Sequence, residues 1–184
     1  MHNVGMGPAS ERRSEAAWFA FVGKGFLSPD APVLLRMITD LRGRALPEAT
    51  LELMLGEMEQ ALDRNPSELR MEFVRLFFDP AGPPCPPFQS VNTSNQLLGP
   101  AHRSALAWYH AAGIEPKTTA EPADHIGLLL AFYARILEFE TPDVLDAFRE
   151  EHLTWIPAYC ERVILETRHP FYRLLADIVL RLLR

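Results

Sequence analysis

A chain of 184 residues with 48% hydrophobic and 23% charged residues has an ordinary globular composition, and it is long enough to bury a core without disulfides or a structural metal. Its net charge of −6 comes with basic residues scattered along the sequence, which argues against nucleic acid as the main partner and suits a basic one. No apolar run approaches the roughly 20 residues that cross a bilayer; the longest, residues 126–133, lies mid-chain, and the N-terminus lacks a basic segment followed by an apolar one, so no secretory signal and a cytoplasmic location are expected.

Apolar residues recur at helical spacing almost throughout, and alternating strand-like patterns are nearly absent. Residues 1–9 read as disordered. Ser10 fits as the N-cap of a first helix to about Gly25, with Ala16, Phe19, Ala20 and Phe26 on its inner face. Pro29 and Pro32 break the chain and open a short helix through Leu41. Pro47 stands near the start of a third helix, whose stripe is Leu51, Met54, Leu55, Met58 and Leu62. Asn65-Pro66-Ser67 ends that helix and caps the next, which carries Leu69, Phe73, Leu76 and Phe77. Phe77 and Phe78 are adjacent and cannot easily share one core, so one of them is expected at a surface groove.

A proline-rich loop follows over residues 79–100, long for a compact domain and therefore a candidate for function. Proline rigidity there would hold Phe88 and Ser90 in place at low entropic cost, although a stiff surface loop or a polyproline ligand is the plainer reading. Pro100 opens a helix to about Ala112. Residues 113–121, rich in Gly, Pro and Thr, are the best candidate for a hinge between two halves, 10–112 and 122–184, of a single domain. The helix after Pro122 is apolar on nearly every side (Ile126, Leu128, Leu129, Leu130, Phe132, Tyr133, Ile136, Leu137) and belongs at the centre of a bundle. Thr141-Pro142, Pro157 and Pro170 start the remaining helices. The expected architecture is an all-α bundle of eight to nine helices.

Common catalytic signatures are missing: there is no GxGxxG, no phosphate-binding GxxxxGK[ST], no GxSxG and no HExxH. No two of the six histidines stand at i+3 or i+4; His102 and His110, eight apart, fit a solvent-exposed pair. Cys85 and Cys160 form no CxxC and are expected as free thiols. Glu121-Pro122-Ala123-Asp124-His125 puts two carboxylates and an imidazole at the mouth of a helix. Acids there favour the positive end of the helix dipole, so capping is the first reading and a ligand site the second. No catalytic residue, metal set or cofactor site is expected.

The order of these features is more specific than any one of them. An aromatic-x-x-Leu-Phe helix end (Phe73, Leu76, Phe77), a proline loop closing on Pro86-Pro87-Phe88-Gln89-Ser90-Val91, and Glu121-Pro-x-Asp124-His125 before an apolar helix together resemble the TorD/DmsD/NarJ-type redox enzyme maturation chaperones. The stretches Phe148-Arg-Glu-Glu-His152-Leu153-Thr-Trp155 and Pro170-Phe171-Tyr172-Arg-Leu-Leu-Ala176 are similar too, and the resemblance covers roughly residues 14–184. It implies an all-helical, non-catalytic chaperone that binds the twin-arginine signal peptide, the apo subunit, or both, of a molybdenum-cofactor oxidoreductase, and holds it for cofactor insertion before export. It implies peptide binding by Phe73, Leu76, Phe77, Pro86, Pro87, Phe88, Ser90, Glu121, Asp124 and His125, in a monomer or a domain-swapped dimer. The alternative is a NarJ-like assembly chaperone of a non-exported subunit. Two positions depart from the pattern: Gln89, where the family often has Glu, and Asn92, where it often has an aromatic. In the expected mechanism an apolar segment lies against the aromatics while arginines meet Asp124 and Glu121 first and Asp79 second.

Overall fold

The computed structural model describes residues 8–44, 49–114 and 121–184. The expectations placed on residues 1–7, on Pro47 and on most of the 113–121 connector lie outside the described residues, while residues 8 and 9, expected as disordered, and Ser10, expected as an N-cap, lie inside the first helix. Within these residues the chain forms ten α-helices and no strand. The first four are α1 (Pro8–Leu27), α2 (Ala31–Arg42), α3 (Ala49–Arg64) and α4 (Pro66–Phe77). The short α5 (Gln89–Ser94) and α6 (Pro100–Ala111) follow. The last four are α7 (Ile126–Phe139), α8 (Pro142–Phe148), α9 (Ile156–Glu166) and α10 (Pro170–Leu182), with a π-helical turn, Arg149–Leu153, joining α8 to α9.

Proline and short polar side chains place most of the helix starts. Proline sits in the first turn of α2, α4, α6, α8, α9 and α10, where its missing N–H leaves no helical bond unmade. Asp30 caps α2 by accepting the Val33 N–H, and Asn65 caps α4 by accepting those of Ser67 and Glu68 while its own amide donates to Glu68. Thr141 stands at the α8 N-cap but makes no side-chain capping bond. The helix beyond the expected eight or nine is α5. Its sequence, QSVNTS, has no apolar period to announce it.

α1 and α7 run antiparallel and make the most intimate helix pairing of the fold. Where they cross, Gly23 faces Gly127: a Cβ on Gly23 would lie 2.8 Å from the Gly127 carbonyl oxygen, and one on Gly127 would lie 2.6 Å from that of Gly23. Farther along the seam Phe19 meets Tyr133 edge-on at 4.8 Å, and the Arg12 guanidinium donates to the Glu140 carbonyl at 3.3 Å. α1 also packs on α10 and α2, and α3 packs on α10, so helices of the first part of the chain are interleaved with helices of the second. α7 is buried over most of its surface, as its all-round apolar sequence requires.

Glu72 fastens α4 to the α9–α10 connection. Its carboxylate accepts two hydrogen bonds from Arg75, one from the Arg168 N–H at 2.6 Å and one from the Thr167 hydroxyl at 3.1 Å. Burial pushes this carboxyl up, but those donors outweigh it and hold it below its ordinary value. Cys85 and Cys160 are both free and buried. Among the described residues no helix is long and apolar enough to cross a membrane.

Gly127→Ala places a methyl 2.5 Å from Leu27 and against the Gly23 carbonyl. Backbone cannot yield as a side-chain tip does, so a loss of about 1–3 kcal/mol is expected. At about 2–4 °C per kcal/mol this reads as a lowered Tm by calorimetry. An unchanged Tm would mean that α1 and α7 do not approach this closely.

Candidate functional site

The proline loop is pinned at every turn. Asp79 accepts the Ala81 N–H, and Gly82, at φ +115°, takes a conformation that favours glycine. The Cys85 N–H donates to the Leu76 carbonyl at 2.9 Å, and the Tyr159 hydroxyl donates to the Cys85 carbonyl at 3.1 Å. Asn92 turns its amide back onto the Pro86 and Phe88 carbonyls, both at 2.8 Å, and its Oδ1 accepts from Arg162. Asn92, one of the two positions expected to depart from the family pattern, is therefore a brace for the loop.

The loop ends against the start of α7. Phe88 and His125 pair as a single antiparallel β-bridge: the Ile126 N–H donates to the Pro87 carbonyl at 2.8 Å, and the Gln89 N–H donates to the Asp124 carbonyl at 3.0 Å. Asp124 is 0% exposed. Its Oδ2 accepts the Ser90 N–H at 2.7 Å, so it caps α5 from across the bridge, while its Oδ1 has no hydrogen-bond partner. His102 Nδ1 lies 3.9 Å from that Oδ1 but accepts the Ala123 N–H, so this nitrogen carries no proton and the contact is not an ion pair. The Ser90 hydroxyl in turn accepts the His102 N–H at 3.3 Å. His102, expected as a solvent-exposed partner of His110, thus belongs to this cluster.

His125 is the cap of α7: its Nδ1 accepts the Gly127 N–H at 3.0 Å. Capping was the first reading of the Glu-Pro-x-Asp-His segment, and the imidazole caps α7 while the neighbouring carboxylate caps α5. The His125 ring stacks on Phe78, with centroids 6.4 Å apart, and meets the edge of Phe88 at 5.4 Å. Burial drives its pKa down to about 3, so the ring is neutral near pH 7.

Beneath the bridge Gln89 faces inward. Its Nε2 donates to the Glu151 carbonyl and its Oε1 lies 2.8 Å from His152 Nδ1, which therefore donates. The buried His152 Nε2 has no partner, and burial lowers this imidazole's pKa against the pull of Glu151 and Asp124. Glu151 accepts from the Ser104 hydroxyl and from Trp108 Nε1, and these bonds hold its carboxyl low. Residue 89 is thus part of an internal polar network, where a carboxylate would face His152.

The expected site residues divide into two layers. Leu76 and Phe77 are buried in the core, Phe73 lies just above them, and Pro87, Ser90, Asp124 and His125 are buried supports. Phe88 and Pro86 are half-buried, and Glu121 is exposed with its carboxyl pushed up by desolvation. The rings of Phe77, Phe73, Phe78, His125 and Phe88 form one unbroken line, each 5.3–6.4 Å from the next. The less buried member of the Phe77–Phe78 pair is Phe78. It continues an outward stripe on α4 with Met71, 65% exposed, and Val74, 46% exposed. That i, i+3, i+7 spacing was legible in the sequence but lay behind the stronger inward stripe. On the same face Arg75 donates to the Glu166 carbonyl, which brings the exposed Leu165 beside the stripe. Among the described residues no three His, Cys, Asp or Glu side chains could hold a metal ion.

The family model described as "Nitrate reductase delta subunit" matches residues 44–161. A Haemophilus influenzae protein described as "Probable Tat proofreading chaperone DmsD" is 32% identical over 135 residues, a match covering 69% of this chain and 63% of that relative. The chain thus spans less than two thirds of that relative's length. A crystal structure from Archaeoglobus fulgidus, assigned as a redox enzyme maturation protein, superposes with a TM-score of 0.67 at 22% identity, over 97% of this chain and 99% of that one. That likeness establishes the shared all-α fold.

The unfolded chain's imidazole takes up a proton near pH 6.5 and the folded His125 only near 3. Between those values the unfolded state binds the extra proton, so this residue's contribution to stability is lost as pH falls from about 6.5 towards 3. Denaturant melts should show stability declining over that range. His125→Asn keeps a capping acceptor and should reduce the slope by up to about 1.4 kcal/mol per pH unit. An unchanged slope would mean that this ring is not held neutral.

Proposed function

Because the chain belongs to the nitrate reductase delta subunit family, that of the TorD/DmsD/NarJ-type redox enzyme maturation chaperones, we propose that it is a cytoplasmic, non-catalytic chaperone that binds the twin-arginine signal peptide of a molybdenum-cofactor oxidoreductase subunit before export. The observation that carries this reading is the pair of exposed apolar side chains Met71 and Val74 leading to the half-buried Phe78, which the buried His125 ring links to the half-buried Phe88, with Asp79 and Glu121 next to these residues in sequence. A twin-arginine leader has the matching chemistry: two guanidiniums followed by an oily segment able to lie on an apolar helix face.

The work divides by layer. Phe78, Val74, Met71 and Phe88 contact the oily segment, and Glu121 and Asp79 receive the arginines through charge-assisted hydrogen bonds. Phe73, Leu76 and Phe77 support the strip from within. Asp124 acts from behind, holding Ser90 and so keeping the Phe88 end of the loop against α7. The second reading, a NarJ-like assembly chaperone that grips the apo subunit itself, is favoured by the family model's own description. Retained binding of a client that lacks its leader would select it.

Calorimetric titration with a synthetic twin-arginine leader peptide tests the first reading. A Met71→Ser/Val74→Ser double variant alters only exposed side chains and should weaken binding about tenfold or more, as truncating a central apolar contact does. Glu121→Gln should cost less and flatten the salt dependence. Undiminished affinity in the double variant, with its helix content intact, would remove the strip from the site.

A further inference from the structure

A depression lies farther along α7, on the α1–α7 seam beyond the Gly23–Gly127 crossing. It is an open trough of about 620 Å³ between α1, α2 and α7. Its floor is alanine: Ala16, Ala17 and Ala20 from α1, Ala131 and Ala134 from α7. Met37 and Phe139 wall it, and Phe139 is 76% exposed although it belongs to the most apolar helix of the fold. Such a floor lets a helix backbone approach far closer than a floor of leucines would.

The rim is charged, and its sign is unusual for this protein. Arg13, Arg44 and Arg135 come from three different parts of the chain, against Asp40 and Glu138. None of the five is in an ion pair among the described residues; Arg13 and Arg44 reach only backbone carbonyls, those of Ala9 and Arg13. Among the described lining residues that is three cations against two carboxylates, a net charge of +1 in a chain whose net charge is −6. At 1.5 Å per residue, positions 131–139 lie roughly 9–21 Å along α7 from His125, clear of the aromatic strip.

We propose that this trough docks an acidic amphipathic helix of a partner protein, its small apolar face on the alanines and its carboxylates on Arg13, Arg44 and Arg135. Resting on the chaperone reading, the helix belongs to the body of the client and not to its leader. The client is then held at two separate epitopes, each raising the effective concentration of the other.

The probes are two labelled, alanine- and leucine-striped helical peptides, one flanked by glutamates and one by lysines, with the leader peptide as a third. The glutamate peptide should bind, shift the methyl resonances of Ala17, Ala20 and Ala131, and leave leader affinity unchanged. The exposed-site variant Arg13→Glu/Arg44→Glu/Arg135→Glu should weaken it about tenfold or more while leader binding persists. No binding of the glutamate peptide, equal binding of the lysine peptide, or competition with the leader would overturn the proposal. Binding of the glutamate peptide by a protein that ignores the leader would support the trough and sink only the leader reading.

Discussion

Residues 87–89 and 124–126 exchange two backbone hydrogen bonds across a single bridge, and the buried carboxylate of Asp124 secures the next N–H along, that of Ser90. A carboxylate with no exposure and one oxygen without a donor is costly to bury. It persists here because everything around it is directional. Ser90 caps against it, His102 and Tyr109 hold the Ala123 backbone beside it, and Gln89 and His152 close the network underneath. Removing one member strands the others, which makes such a network a strong specifier of one geometry. What it specifies is the position of Phe88 and of the His125 ring, the two groups that carry the aromatic line from α4 to the loop.

The same segment is held from the other side by packing. α7 can begin beside the loop only because Gly127 lets α1 come to contact at Gly23. His125 Nδ1 would itself lie 3.2 Å from a Cβ on residue 127, so the close crossing and the cap share one small volume. Core and site are therefore mechanically coupled at the head of α7. Far along the same helix pair, alanines at 16, 17, 20, 131 and 134 line the trough between α1, α2 and α7.

The proposed binding of an oily client segment needs apolar surface that the core does not consume. α4 carries two apolar stripes. Leu69, Phe73, Leu76 and Phe77 face inward, Met71 and Val74 face out, and Phe78 at the helix end is half-buried between the two. Glu72, between the stripes, is fully satisfied by Arg75, Thr167 and Arg168, which fixes how the helix is rolled and hence which stripe is offered to solvent.

Much of this protein was legible in its sequence because the determinants are local. Helical periodicity, proline in first turns and Asn65 as a cap each act within a few residues, so the all-α class and most helix starts follow from reading along the chain. The Glu-Pro-x-Asp-His and Pro-Pro-Phe-x-Ser segments were each legible as contiguous motifs, and it was the resemblance of their order to that of a known family that linked them. What tertiary structure alone decided is where each side chain is spent. Asp124 is an internal cap because Ser90, 34 positions earlier, folds back onto it; Gln89 faces His152 across 63 positions; and Phe78 is less buried than Phe77 on a helix whose roll is fixed by bonds to residues more than 90 positions away. These are long-range pairings between groups whose local chemistry would have suited several roles, and only the packing of the bundle selects among them.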